Sequence, residues 1–172
     1  QRVLAALADS ITLNANYALD IHSTHLDSMN YPFTTMLVVA EETPEEKRNR
    51  VKTCRDIGNQ LIRVIPERPG GIQRILNHRG CPAHSFEAGE GWRALEPFIS
   101  IILRGIRNFC KSVGVTKGEI ERPQMIVEYT RLHEVTADRG GMSNLFVKPG
   151  QYVRSGEVVA VVRDMFDNVV DE

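Results

Sequence analysis

The sequence predicts an α/β domain followed by a small all-β unit. Up to about residue 113, apolar runs of strand length alternate with longer stretches whose apolar residues recur at helical spacing. That alternation predicts a mostly parallel sheet with helices on both faces. From Gln124 the helical period is lost, and short β-branched runs alternate with turns containing Gly, Pro and Ser. At 172 residues the chain is long enough for one domain with a substantial core plus a small appendage. The expected division is 1–120 and 121–172.

In order, residues 2–14 (Val3, Leu4, Leu7, Ile11) read as an amphipathic helix. Tyr17 to His22 is a strand of small and apolar residues that ends in polar ones. A polar loop, 23–32, contains His25. Phe33 to Ala40 is β-branched, apolar and unbroken, and is the clearest strand. Thr43-Pro44-Glu45-Glu46 is a capping box with proline at the first helical position. Its helix should run to Ile57, with Val51, Cys54 and Ile57 facing the core and Gly58 as the stop. Strand 61–65, a loop at 66–71 and helix 72–78 follow, with Gly80 as the stop. Strand 82–87 runs into a glycine-rich loop. Residues 94–113 form a long helix, with Leu95, Phe98, Ile99, Ile102, Ile106, Phe109 and Cys110 on one face and Pro97 in its first turn. Beyond it, strands are expected at 125–127, 132–135, 145–147 and 158–162.

Composition narrows the class. A quarter of the residues are charged and the net charge is −1, which argues against an electrostatic nucleic-acid or membrane binder. No apolar run approaches the roughly 20 residues of a membrane span. Cys54, Cys81 and Cys110 are scattered without a CxxC and read as reduced thiols of a cytoplasmic protein. Gln1 opens directly into a helical pattern with no initiator Met, and residues 169–172 stop within the β-rich part, so a portion of a longer enzyme is expected.

Two stretches carry chemistry. The first is Asp20-Ile21-His22-Ser23-Thr24 at the end of a buried strand. Polar groups there are costly unless paired or functional, and in open α/β sheets the carboxyl ends of strands are where sites lie. A neutral imidazole at His22 suits a metal, with Asp20 orienting it. The alternative is a histidine that merely hydrogen-bonds at a strand end. The second is Gly80-Cys81-Pro82-Ala83-His84-Ser85-Phe86-Glu87-Ala88-Gly89-Glu90-Gly91.

Asp-Ile-His followed at this distance by Pro-Ala-x-x-x-Glu-Ala-Gly-Glu resembles the succinylglutamate desuccinylase/aspartoacylase family. These are zinc hydrolases of carboxypeptidase-like α/β fold. The resemblance continues through the helix after Glu87 into the β-rich tail, so it covers most of the chain. It implies a deacylase or amidohydrolase acting on an N-acyl amino acid or related small amide, with one Zn2+ per active site. It implies His22 as the third zinc ligand, Glu87 as general base and Asp20 behind His22. Arg79 is implied as a grip on the substrate carboxylate. The family's other two ligands come from an upstream HxxE, and an upstream Asn and Arg also bind substrate. None of these occurs before His22 here. His22 and Glu87 should therefore approach each other, while the chain alone, with one well-placed ligand, should bind zinc weakly. The partner is a small molecule, not nucleic acid or membrane, and homo-oligomerisation is left open.

Three features of the sequence bear on alternatives to this reading. His84-Ser85-Phe86-Glu87 is itself an HxxE string, but on a strand residues three apart point to opposite faces. His25, His78 and His133 have no partner at ligand spacing. Residues 150–162 resemble the hairpin of lipoyl and biotinyl carriers, but Phe166 stands where the modified lysine would be. The same pattern occurs in the C-terminal domain of the desuccinylase-like family, forming a barrel-sandwich-like unit. The alternative function is a non-catalytic interaction module on a degenerate hydrolase fold, which an upstream HxxE would exclude.

Overall fold

A five-stranded mixed sheet organises the larger of two units in the computed structural model, which describes residues 6, 10, 12–26, 28–67 and 71–172. Most of the helix expected at 2–14 lies outside the described residues. The strands are β1 (Ala18–His22), β2 (Met29–Val38), β3 (Leu61–Pro66), β4 (Ala83–Glu90) and β5 (Val127–Tyr129), in the order β1-β4-β2-β3-β5. The pairs β1/β4, β2/β3 and β3/β5 are parallel, and β2/β4 is antiparallel. The helices are α1 (Pro44–Asp56), α2 (Ile72–His78) and α3 (Phe98–Ser112). None is long and apolar enough to cross a membrane.

The helices cover the sheet unequally. Ile57, Phe86, Ala88 and Phe109 form one cluster, with Leu19, Phe98, Ile101 and Ile102 packed around it. Met36, Cys54 and Ile62 form a second, joined by Val51, Val64 and Ile126. Both lie on the face that α1 and α3 cover. Phe86 is fully buried there, a burial that contributes about 1.5–3 kcal/mol. On the other face Leu76 of α2 packs with Cys81, Ala83, Ala15 and Ala18, at the amino ends of β1 and β4.

The capping box forms as expected: Glu46 N donates to Thr43 Oγ1 at 3.2 Å, and Thr43 N donates to Glu46 Oε2 at 2.7 Å. Gly58, at φ 85°, ends the turn after α1; a Cβ there would sit 2.7 Å from Asn108 Nδ2 and Glu121 O.

Several expectations need correction. β2 begins at Met29, within the expected loop, and shifts register between Asn30 and Phe33. Pro32 lies inside that irregularity, where a residue without an N–H is tolerated. β4 continues to Glu90, so Glu87 lies within the strand and not at its end. α3 begins only at Phe98, because Glu96 precedes a proline and is steered away from helical geometry. Its buried stripe includes Gly105 and Asn108, which an apolar pattern cannot reveal. Residues 132–135 are not a strand, and Leu132 and Val135 are exposed. The larger unit ends at Thr130, beyond the 120/121 division, because β5 pairs with β3.

The smaller unit, Arg131–Glu172, contains an antiparallel sheet of β6 (Met142–Leu145), β7 (Ala160–Arg163) and β8 (Val169–Asp171), in that order. Val161 and Val162 are its buried residues. Asp164 ties the β7–β8 turn by accepting from the backbone N–H groups of Phe166 and Asn168, at 2.8 and 2.9 Å. The Asn168 side-chain amide, donating to Oδ2 at 3.0 Å, together with those backbone bonds holds its carboxyl below the usual range. Phe166 is exposed on this turn.

Candidate active site

β1 and β4 run parallel with Ala18 opposite Ala83, Asp20 opposite Ser85 and His22 opposite Glu87. Partners at one register position project to the same side of a sheet, and neighbouring strands lie about 4.8 Å apart. His22 and Glu87 are therefore adjacent on one face, as the family resemblance implied. It is the face opposite α1 and α3, since Leu19 and Phe86, one residue out of phase, pack under those helices. α2 reaches only the Ala18 and Ala83 end, and leaves the His22 and Glu87 end uncovered by any of the three helices.

Asp20 and His22 are two residues apart on a strand and share a side. Their side chains meet, with His22 Nε2 2.8 Å from Asp20 Oδ2. A carboxylate accepts, so this contact selects the tautomer with its proton on Nε2 and leaves the Nδ1 lone pair available. The His22 side chain is half exposed. Glu87 Oε2 accepts a hydrogen bond from Asn30 Nδ2 at 3.0 Å. Sequence reading missed Asn30 because it was assigned to a loop; the β2 irregularity carries it to the position opposite Gly89, beside Glu87. The loops after β1 and β4 also touch. A Cβ on Gly91 would collide with the Thr24 carbonyl and come within 3.0 Å of His25 C, so glycine permits this approach.

The same face extends across the sheet. Ser85 lies opposite Thr35, Thr35 opposite Arg63, and Arg63 opposite Tyr129. Burial raises the Tyr129 phenol pKa and Glu87 adds to the rise, whereas Arg63 works against it. Tyr129 is thus within electrostatic reach of both Arg63 and Glu87. Neither Arg63 nor Tyr129 was singled out from the sequence, since nothing local ties either to Glu87.

Two other residues stand apart. Arg79 is the C-cap of α2, ahead of the first residue of β4. His84 points to the opposite face, fully buried, with Nε2 2.8 Å from Thr53 Oγ1. Thr53 Oγ1 also lies 2.9 Å from the Asn49 carbonyl and donates to it; His84 therefore carries its proton on Nε2, and the unpartnered Nδ1 is a bare acceptor. Burial, aided by the Arg50 charge, lowers its pKa to about 3. A His84/Glu87 metal pair is excluded by the pleat.

Among the described residues no three of His, Cys, Asp and Glu are grouped to hold a metal ion. The donor chemistry fits one corner of a zinc site: an imidazole oriented by a carboxylate through Nε2.

No protein-family model matches the sequence, and no curated protein matches it. Solved structures do. A succinylglutamate desuccinylase/aspartoacylase from Rhodobacter sphaeroides is 21% identical with a TM-score of 0.79, over 97% of this chain and 52% of that one. The chain has the succinylglutamate desuccinylase/aspartoacylase fold. A succinylglutamate desuccinylase from Silicibacter is similar with 16% identity and a TM-score of 0.78, over 98% of this chain and 53% of that one. The product-bound ectoine utilization protein EutE from Ruegeria pomeroyi, at 18% identity and a TM-score of 0.76, is matched over 97% and 52%. The chain thus spans about half the length of each desuccinylase/aspartoacylase-fold structure.

Proposed function

We propose that this chain is part of a zinc-dependent hydrolase that cleaves the amide of an N-acyl amino acid or a related small amide. The observation that carries the reading is the shared register of His22 and Glu87 on one sheet face, with Asp20 and Asn30 each bonded to one of them. The similarity in fold to desuccinylase and aspartoacylase structures supports it.

In this reading His22 Nδ1 holds zinc, and Asp20 keeps the imidazole in the tautomer that can do so. The remaining ligands come from outside these 172 residues. Bound zinc supplies Lewis-acid polarisation and a water that ionises near neutral pH. Glu87 takes the proton from the water as the C–O bond forms and the carbonyl π bond opens, then delivers that proton to the amine nitrogen, which lets the C–N bond break. Asn30 donates to Oε2 of Glu87, which leaves Oε1 to take up the proton. Three unpaired cysteines, two of them buried, fit a reducing cytoplasm.

The test is made in the full-length enzyme. Glu87→Gln should cut hydrolysis by about 10²–10⁴-fold and leave zinc content intact, as expected of a base outside the coordination shell. His22→Ala should lower zinc content, measured by atomic absorption. Loss of zinc on Glu87→Gln, or full zinc in His22→Ala, would overturn the assignment of roles.

A further inference from the structure

We infer that Arg63 and Tyr129 form a carboxylate-binding subsite on the sheet face beyond Glu87, which fixes the end of the substrate remote from His22. The inference rests on the hydrolase reading for the identity of the bound molecule, but its geometry stands independently.

The strand order puts β4 next to β1, with β2, β3 and β5 following on the other side. Glu87 therefore has His22 on one side. On the other side the same register row holds Phe33 and Leu61, and the neighbouring row holds Thr35, Arg63 and Tyr129. β3 is two strand spacings from β4, on the order of 10 Å, which suits a small acyl amino acid lying across β2. Half-buried Phe33 offers an apolar floor along that path.

Arg63 is also half-buried, yet among the described residues it has no ion pair or hydrogen bond. Two other arginines of the larger unit have carboxylate partners. Arg50 bonds Glu42 and the Leu37 carbonyl, and Arg122 bonds buried Asp56. A partly desolvated guanidinium with unused donors is costly, and a carboxylate is the acceptor that matches its fork. Tyr129 lies opposite Arg63 across the β3/β5 pair and adds a phenolic O–H to the same acceptor. The Tyr129 phenol lies within reach of the Glu87 charge, and both side chains are on one face of the sheet, so the grip and the reacting end belong to one surface.

The test uses the zinc-loaded full-length enzyme and two probes, succinate and its neutral diamide succinamide, titrated by calorimetry. Wild type should prefer succinate. Arg63→Gln should reduce that preference at least tenfold, and Arg63→Lys, which keeps the charge but not the fork, should fall between. Tyr129→Phe, a milder change to packing, should weaken succinate binding several-fold with less effect on succinamide. Equal binding of the two probes by wild type, or an unchanged preference in Arg63→Gln and Tyr129→Phe, would overturn the subsite. The hydrolase reading fails separately: absence of hydrolysis of any N-acyl amino acid by zinc-loaded wild type, with the succinate preference still dependent on Arg63, would leave an anion site without that chemistry.

Discussion

Asp20 acts on His22 through one hydrogen bond, and that bond decides which ring nitrogen is left for a metal. Asp20→Asn places an amide where the carboxylate accepted, and the imidazole loses its preference for the Nε2–H tautomer. Zinc affinity of the full-length protein should fall by about 10–100-fold, read by competition with a chromogenic chelator. An unchanged affinity would mean that the pair is a surface contact alone. Asn30 presents the same logic at Glu87. Asn30→Ala should shift the pH dependence of turnover and lower kcat more than it changes KM, because it orients the base without touching zinc.

Helices and strands hold these residues in place through a few close contacts. Gly105 of α3 faces the Phe86 ring, and an added Cβ would land inside the ring's van der Waals shell. Alanine is the better helix former by about 0.8–1 kcal/mol, but a clash in a packed core costs typically about 1–3 kcal/mol. Gly105→Ala should therefore destabilise the protein on balance, seen as a lower urea midpoint, and displace the strand that carries Glu87. A midpoint at or above wild type would show that Phe86 moves aside freely. The start of α1 is set by its capping box, and Thr43→Ala should cost about 0.5–2 kcal/mol in the same measurement.

Acid stability is a property of the whole molecule. His84 ionises near 6.5 when unfolded and at about 3 when buried in the native protein. Protons therefore favour the unfolded chain, and the stability present above pH 6.5 declines as pH falls toward about 3. Asp56 is different. Burial alone would raise its pKa, but bonds from Lys52, Ser112 and Arg122 prevail and lower it from 3.8. Its contribution is present above 3.8 and is lost as pH falls through its lowered native value. Melting temperatures followed by circular dichroism from pH 7 to 3 should drop in two stages. His84→Gln should flatten the upper stage, above about pH 4, and leave the lower one. Parallel curves for wild type and His84→Gln would show that His84 does not govern the upper stage.

The sequence by itself determined the local elements and much of the chemistry. Thr43, Pro44 and Glu46 announced α1, Gly58 and Gly80 marked where helices stop, and the strands carrying His22 and Glu87 were legible as short apolar runs. These signals act over a few residues, through caps, permitted dihedrals and side-chain period. That the two strands are neighbours was expected only through a family resemblance, and the β1/β4 register supplies it physically. Asn30 was hidden because a β irregularity around Pro32 reads as a loop. Arg63 and Tyr129 were hidden because a three-residue strand has no period to detect, and because no local rule tells which strands lie side by side. A strand's sequence states what its two faces prefer, whereas sheet order is a contest among long-range pairings. Only the tertiary structure decided that contest, and with it which side chains share the face of Glu87.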